Sequence, residues 1–135
     1  MKICNNTKGG IITKITGFCP LIVTKDAETV VKVFEELGFE KRHTKKDIEG
    51  GKNTNYAMKD SNGNRINIAS SETLPRDLPA ISINVDNFQE AYDFFLAHGF
   101  VNPRGDKVTD TSSSRATLLF APSGFAVSIT EHIKD

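Results

Sequence analysis

No stretch of this sequence approaches the ~20 consecutive apolar residues that cross a bilayer as a helix, which excludes a membrane-spanning helix. Neither sign of charge is in excess. Seventeen Lys and Arg balance seventeen Asp and Glu, so no global field draws the chain toward nucleic acid or an acidic membrane, and charge-based recognition has to be local. Cysteine is scarce: Cys4 and Cys19 are the two thiols, and they make no CxxC pair. Zinc fingers, thioredoxin-type redox chemistry and a disulfide scaffold are thereby excluded. The segment from Met1 to Gly10 has no apolar core, so no secretory signal is predicted and the cytoplasm is the expected location. What remains is an ordinary globular composition, 38% hydrophobic and 25% charged, in 135 residues. That length suits one domain, or two small modules sharing a core.

The second alternative is carried by an internal match. An offset of 61 residues aligns most of the chain with itself without a gap. It pairs Ile22 with Ile83, Phe34 with Phe95, Gly38 with Gly99, Phe39 with Phe100, Gly63 with Gly124 and Ile68 with Ile129, and such self-similarity is the mark of a repeated structural unit. Each unit opens with an alternating strand, Phe18 to Thr24 or Ala80 to Val85. A helix follows. In the first unit Asp26 is the expected N-cap, Val30, Val33, Phe34 and Leu37 the buried stripe, and Gly38 the stop. In the second, Asn87 and Glu90 read as a capping box, Phe88, Ala91, Tyr92 and Phe95 as the stripe, and Gly99 as the stop. Three strands are predicted next, the last two joined by tight turns at Asp60 to Asn64 and Ala121 to Phe125. The predicted fold is therefore α+β: two tandem βαβββ modules, residues 17–72 and 78–133, separated by a polar, proline-bearing linker at 73–77. Residues 1–16 read as a tail, with Ile11 to Ile15 a candidate edge strand.

Alternation sorts the strand faces. Ile81, Ile83, Val85, Ile66, Ile68, Val127 and Ile129 fall on one face, which has to meet the helices because their stripes have no other partner. The opposite face carries Arg65, Asn67, Ala80, Ser82, Asn84 and Ser128. It is either the solvated side of the sheet or, if two sheets curl, the lining of a cup.

A duplicated βαβββ unit, with helices ending Leu37-Gly38-Phe39 and His98-Gly99-Phe100 and an Asp/Pro-x-Gly-x hairpin, resembles the vicinal oxygen chelate superfamily. This group includes glyoxalase I, extradiol dioxygenases, and fosfomycin and bleomycin resistance proteins. The resemblance extends over residues 17–133. It implies that the mixed sheets form one curved cup with the helices outside, closed within one chain or between two. Metal-dependent members place a ligand on the first and last strand of each unit, and those positions fall here on Cys19, Ala80, Asn67 and Ser128. None is a histidine or a carboxylate, so the set is too poor in donors for Zn, Fe, Mn or Ni, and no metal or other cofactor is expected.

The remaining candidates are weak. His43, His98 and His132 lie on three separate elements with no ligand spacing, and His98 suits the end of its helix as a partner for the dipole. Cys19 faces the cup but has no predicted base beside it. The run Lys41 to Lys46 reads as a solvated strand edge or an anion-favouring rim, and Arg65 offers a bidentate donor for carboxylate or phosphate. The expected function is metal-free binding of a small polar or amphipathic ligand by Cys19, Arg65, Asn67, Ser82, Asn84 and Ser128, with no catalytic residue. The alternatives are a metal-dependent lyase or dioxygenase whose ligands lie elsewhere, and a regulatory dimer with an empty cup. Expected partners are a small molecule and a second copy of the chain, with neither nucleic acid nor membrane.

Overall fold

The structure is a computed structural model that describes residues 13–48, 53–111 and 113–132. Strand β1 (Ile15–Thr24) leads to helix α1 (Ala27–Glu36), then β2 (Glu40–Ile48), β3 (Asn53–Lys59) and β4 (Arg65–Ser70). The order repeats as β5 (Leu78–Val85), α2 (Phe88–Ala97), β6 (Thr109–Asp110), β7 (Ser114–Phe120) and β8 (Ala126–His132). All eight strands join one mixed, curled sheet in the order β2-β3-β4-β1-β5-β8-β7-β6. That order is a palindrome of the two halves. β1 runs parallel to β4 and β5 parallel to β8, while β1 and β5 meet antiparallel at the centre.

Residues 61 apart occupy corresponding places: Ile22 in β1 and Ile83 in β5, Ile68 in β4 and Ile129 in β8. Side chains from each helix and its half of the sheet form a separate core. One gathers Ala27, Val31, Met58, Ile66 and Ile68; the other gathers Val85, Phe88, Ala91, Leu119, Val127 and Ile129, among others. Both cores lie on the helix side, so the opposite, concave face is left outside them.

The local chemistry that starts each helix is visible. Asp26 accepts from the Thr29 backbone N–H at 3.3 Å, and the Asn87 side chain accepts from Glu90 N–H at 3.1 Å. The expected capping box is only half made. The Asn87 backbone N–H donates to the Thr13 hydroxyl at 2.9 Å instead of to Glu90. Thr13 in turn donates to Asp86 Oδ1 at 2.8 Å, which also accepts from Lys14 N–H at 2.7 Å. These bonds hold the Asp86 carboxyl below its ordinary pKa, the Lys14 amide contributing most.

Three other expectations are corrected. Ile15 does not begin an extra edge strand; it extends the central β1 and pairs with Val85 across a bulge at Gly17, while Ile11 and Ile12 lie outside the described residues. The α1 stripe is rotated, with Ala27 and Val31 buried, Val30 and Phe34 partly so, and Val33 and Leu37 more than half exposed. Leu37 is the C-cap of the helix, where the chain already turns away from the sheet. Finally, β5 starts at Leu78 and includes Pro79, whose missing N–H is tolerated at a strand beginning.

Candidate functional site

Pairing across the sheet brings the predicted residues onto one face. Cys19 lies opposite Ser82, Ser82 opposite Ser128, and Leu21 opposite Asn67 and Ala80. Asn67 Nδ2 donates to Ser82 Oγ at 3.2 Å, reaching across β1. Asn84 pairs with Gly17, and a Cβ at Gly17 would stand 2.7 Å from Asn84 Nδ2. Glycine here lets the Asn84 amide lie down against β1. Cys19, Arg65, Asn67, Ser82, Asn84 and Ser128 therefore form one connected surface across β4, β1, β5 and β8.

Cys19 and Ser82 are buried and Asn67 is half-buried. Burial pushes the Cys19 thiol above its ordinary pKa, opposed by the positive charge of Arg65 and by hydrogen bonds from the Asn67 backbone and the Ser82 side chain. A protonated thiol with no base beside it is poorly prepared for nucleophilic attack.

Two basic residues join the site that the alternation pattern did not single out. Glu40 pairs with Lys59, so alternation along β2 puts Arg42, two residues on, toward the concave side. Lys59 pairs with Arg65 across β3 and β4. Arg42, Ala57, Lys59, Arg65 and Asn67 line a hollow of about 120 Å³. Arg65 also borders a second hollow, about 480 Å³, with Cys19, Phe18, Pro20, Phe34 and Phe39 at the strand ends. The signal for Arg42 lay in the basic run at 41–46, of which the side chains of His43, Lys45 and Lys46 lie outside the described residues. His98 caps α2 and places Nδ1 2.9 Å from the Phe94 carbonyl, away from this face.

The curled eight-stranded sheet matches solved structures. Glyoxalase I from Zea mays superposes with a TM-score of 0.63 at 16% identity, over 90% of this chain and 44% of that one. A glyoxalase/bleomycin resistance protein/dioxygenase superfamily member from Vibrio splendidus 12B01 gives 0.56 at 14% identity, over 87% of this chain and 99% of that one. The fold is that of the vicinal oxygen chelate proteins. This chain spans less than half the length of the maize enzyme, and at these identities the likeness is one of fold. No protein-family model and no curated protein matches the sequence.

The vicinal oxygen chelate fold implies a test of metal fit at Cys19, Asn67, Ala80 and Ser128. The register puts all four on the concave face, and a one-residue slip would replace them with Phe18 or Pro20, Pro79 or Ile81, Ile66 or Ile68, and Val127 or Ile129, none of which is a metal donor. Ala80 has no donor, and the others supply one protonated thiol, one neutral amide and one hydroxyl. That set does not fit a divalent metal. Among the described residues no three His, Cys, Asp or Glu side chains group as a metal site, and no helix is long and apolar enough to cross a membrane.

Proposed function

We propose that this chain is a metal-free small-molecule-binding protein of the glyoxalase/bleomycin resistance type, holding a small polar or amphipathic ligand against the concave face. The observation that supports it most directly is the gathering of Cys19, Arg65, Asn67, Ser82, Asn84 and Ser128 on one concave surface built by a single chain. Hydrogen-bond donors and acceptors converge there without a nucleophile–base pair or a competent metal set, which is the chemistry of recognition rather than of turnover. We read the 61-residue offset as a duplication with modules 17–72 and 78–133, acting in the cytoplasm.

A homodimer is part of this proposal, though not because a second chain is needed to complete the sheet. The sheet already joins both modules. Apolar surface outside the cores supports it instead: Phe18, at 64% exposure, borders the hollow at the strand ends, and Val33 and Leu37 project from α1. Native mass spectrometry of the purified protein tests metal content, a co-purifying molecule and assembly together. The expected spectrum is a metal-free species at twice the 14.8 kDa chain mass carrying a small organic adduct. Stoichiometric zinc, nickel, manganese or iron that disappears in Cys19→Ala and Asn67→Ala would move the metal-dependent lyase or dioxygenase reading to first place.

A further inference from the structure

The two halves of the concave face match in backbone where β1, β3 and β4 correspond to β5, β7 and β8, and they differ in chemistry. Arg42, Lys59 and Arg65 stand in the first half where the 61-residue offset puts Pro103, Phe120 and Ala126 in the second, and Ala57 corresponds to Leu118. Leu118 pairs with Ser128 and Phe120 with Ala126, on the same face as Ser82. One wall is cationic; the facing wall is apolar at Leu118 and Phe120, with Thr109, Thr130 and the Arg104 guanidinium, which donates to Thr109 at 3.0 Å, farther along it.

The cationic wall is short of counter-charge. Among the described residues, neither Arg42, Lys59 nor Arg65 makes an ion pair; the salt bridge found, Arg115 to Asp110, lies on the second half. Two carboxylates come near by position. Glu40 pairs with Lys59 at the exposed end of β2 without an ion pair. Asp60 directs its carboxylate at the Asn62 and Asn64 amides of its own turn, at 2.8–2.9 Å. Clustered cations left unneutralised in a concavity favour an anion, and guanidinium groups suit the paired oxygens of carboxylate or phosphate.

We infer that the ligand is an amphipathic organic anion, its carboxylate or phosphate head held by Arg42, Lys59 and Arg65 and its apolar body lying toward Leu118 and Phe120. This rests on the binding reading above and names its ligand class. From β4 to β7 the face spans four strand spacings, about 19 Å along the sheet, enough for an arginine side chain and an eight-carbon body.

The experiment is calorimetric titration of the full chain with octanoate, octyl phosphate, octanamide, octylammonium, acetate and inorganic phosphate. Octanoate or octyl phosphate is expected to bind at least tenfold tighter than octanamide and octylammonium, and acetate and inorganic phosphate to bind at least tenfold more weakly than their octyl counterparts. The stronger of the two octyl anions identifies the head group. Added NaCl should weaken the anions and not octanamide. Arg65→Gln and Arg42→Gln should each weaken the preferred anion at least fivefold and leave octanamide unchanged, and Leu118→Ser should weaken both. Octanamide or octylammonium binding as tightly as the anions would overturn the anionic assignment while leaving the binding reading intact. Inorganic phosphate or acetate binding as tightly as its octyl counterpart would overturn the apolar half. Failure of every probe at millimolar concentration would overturn this inference, while the binding reading stands or falls on the co-purifying adduct in the native spectrum. If an arginine variant fails to fold, the ligand series and its salt dependence on the unaltered chain decide.

Discussion

Cys19 is held by opposing effects on one atom. Burial on the concave face raises its pKa from 9.0, and the Arg65 charge, the Asn67 backbone and the Ser82 side chain lower it by less. Since the thiolate is the reactive form, iodoacetamide should modify Cys19 in the native protein more slowly than in the unfolded chain at pH 8, with a pH–rate midpoint above 9.0. Arg65→Gln should slow it further by removing the strongest effect favouring the thiolate. Peptide-level mass spectrometry distinguishes Cys19 from Cys4, and faster modification in the variant would contradict this account. The same shift carries a linkage sign. The folded state retains a proton that the unfolded state releases above its ordinary pKa, so this group lowers stability as pH rises through about 9 and has no effect at neutral pH.

Helix starts are where local sequence and observed structure agree most closely. Asp26 supplies an acceptor to the first turn of α1 at 3.3 Å, from an exposed position with no other role. Asp26→Ala should reduce unfolding free energy by about 1 kcal/mol, read by urea denaturation, and Asp26→Ser should restore most of it. No change on Asp26→Ala would mean that solvent serves the amide equally well. At α2 the cap is shared with Thr13, distant in sequence, whose hydroxyl is held by Asp86 next to the cap, because the segment before β1 passes beside the helix start. The α1 stripe was misplaced for a related reason. Periodicity fixes which residues share a helix face but not how the helix is rolled on the sheet, and Val31 took the place expected for Val33.

Over the whole molecule, two cores lie side by side on the helix face of one sheet, joined through β1 and β5. Ile68 and Ile129 are both fully buried and occupy corresponding positions. Each change to alanine should cost about 2–5 kcal/mol through lost burial and a residual cavity. Because the central strands pair over eight register positions, both variants should lower a single, shared unfolding transition. Two separate transitions in calorimetry, with only one displaced by Ile129→Ala, would show that the halves unfold independently.

The sequence by itself determined the βαβββ order, the helix caps, the turns and which strand residues share a face, because each follows from contacts within a few residues or from a period of two. It also put Arg65, Asn67, Ser82, Asn84 and Ser128 on one face, since alternation assigns a face wherever the chain is extended, while Cys19 joined them through the family resemblance. Tertiary structure alone decided that the halves meet through β1 and β5, which no local pattern encodes. It alone set the pairings that place Lys59 beside Arg65 and Glu40 beside Lys59, and with them Arg42 on the same face. Those features depend on cross-strand register between segments folded against each other, and register is settled by what the opposing strand offers, not by either strand alone.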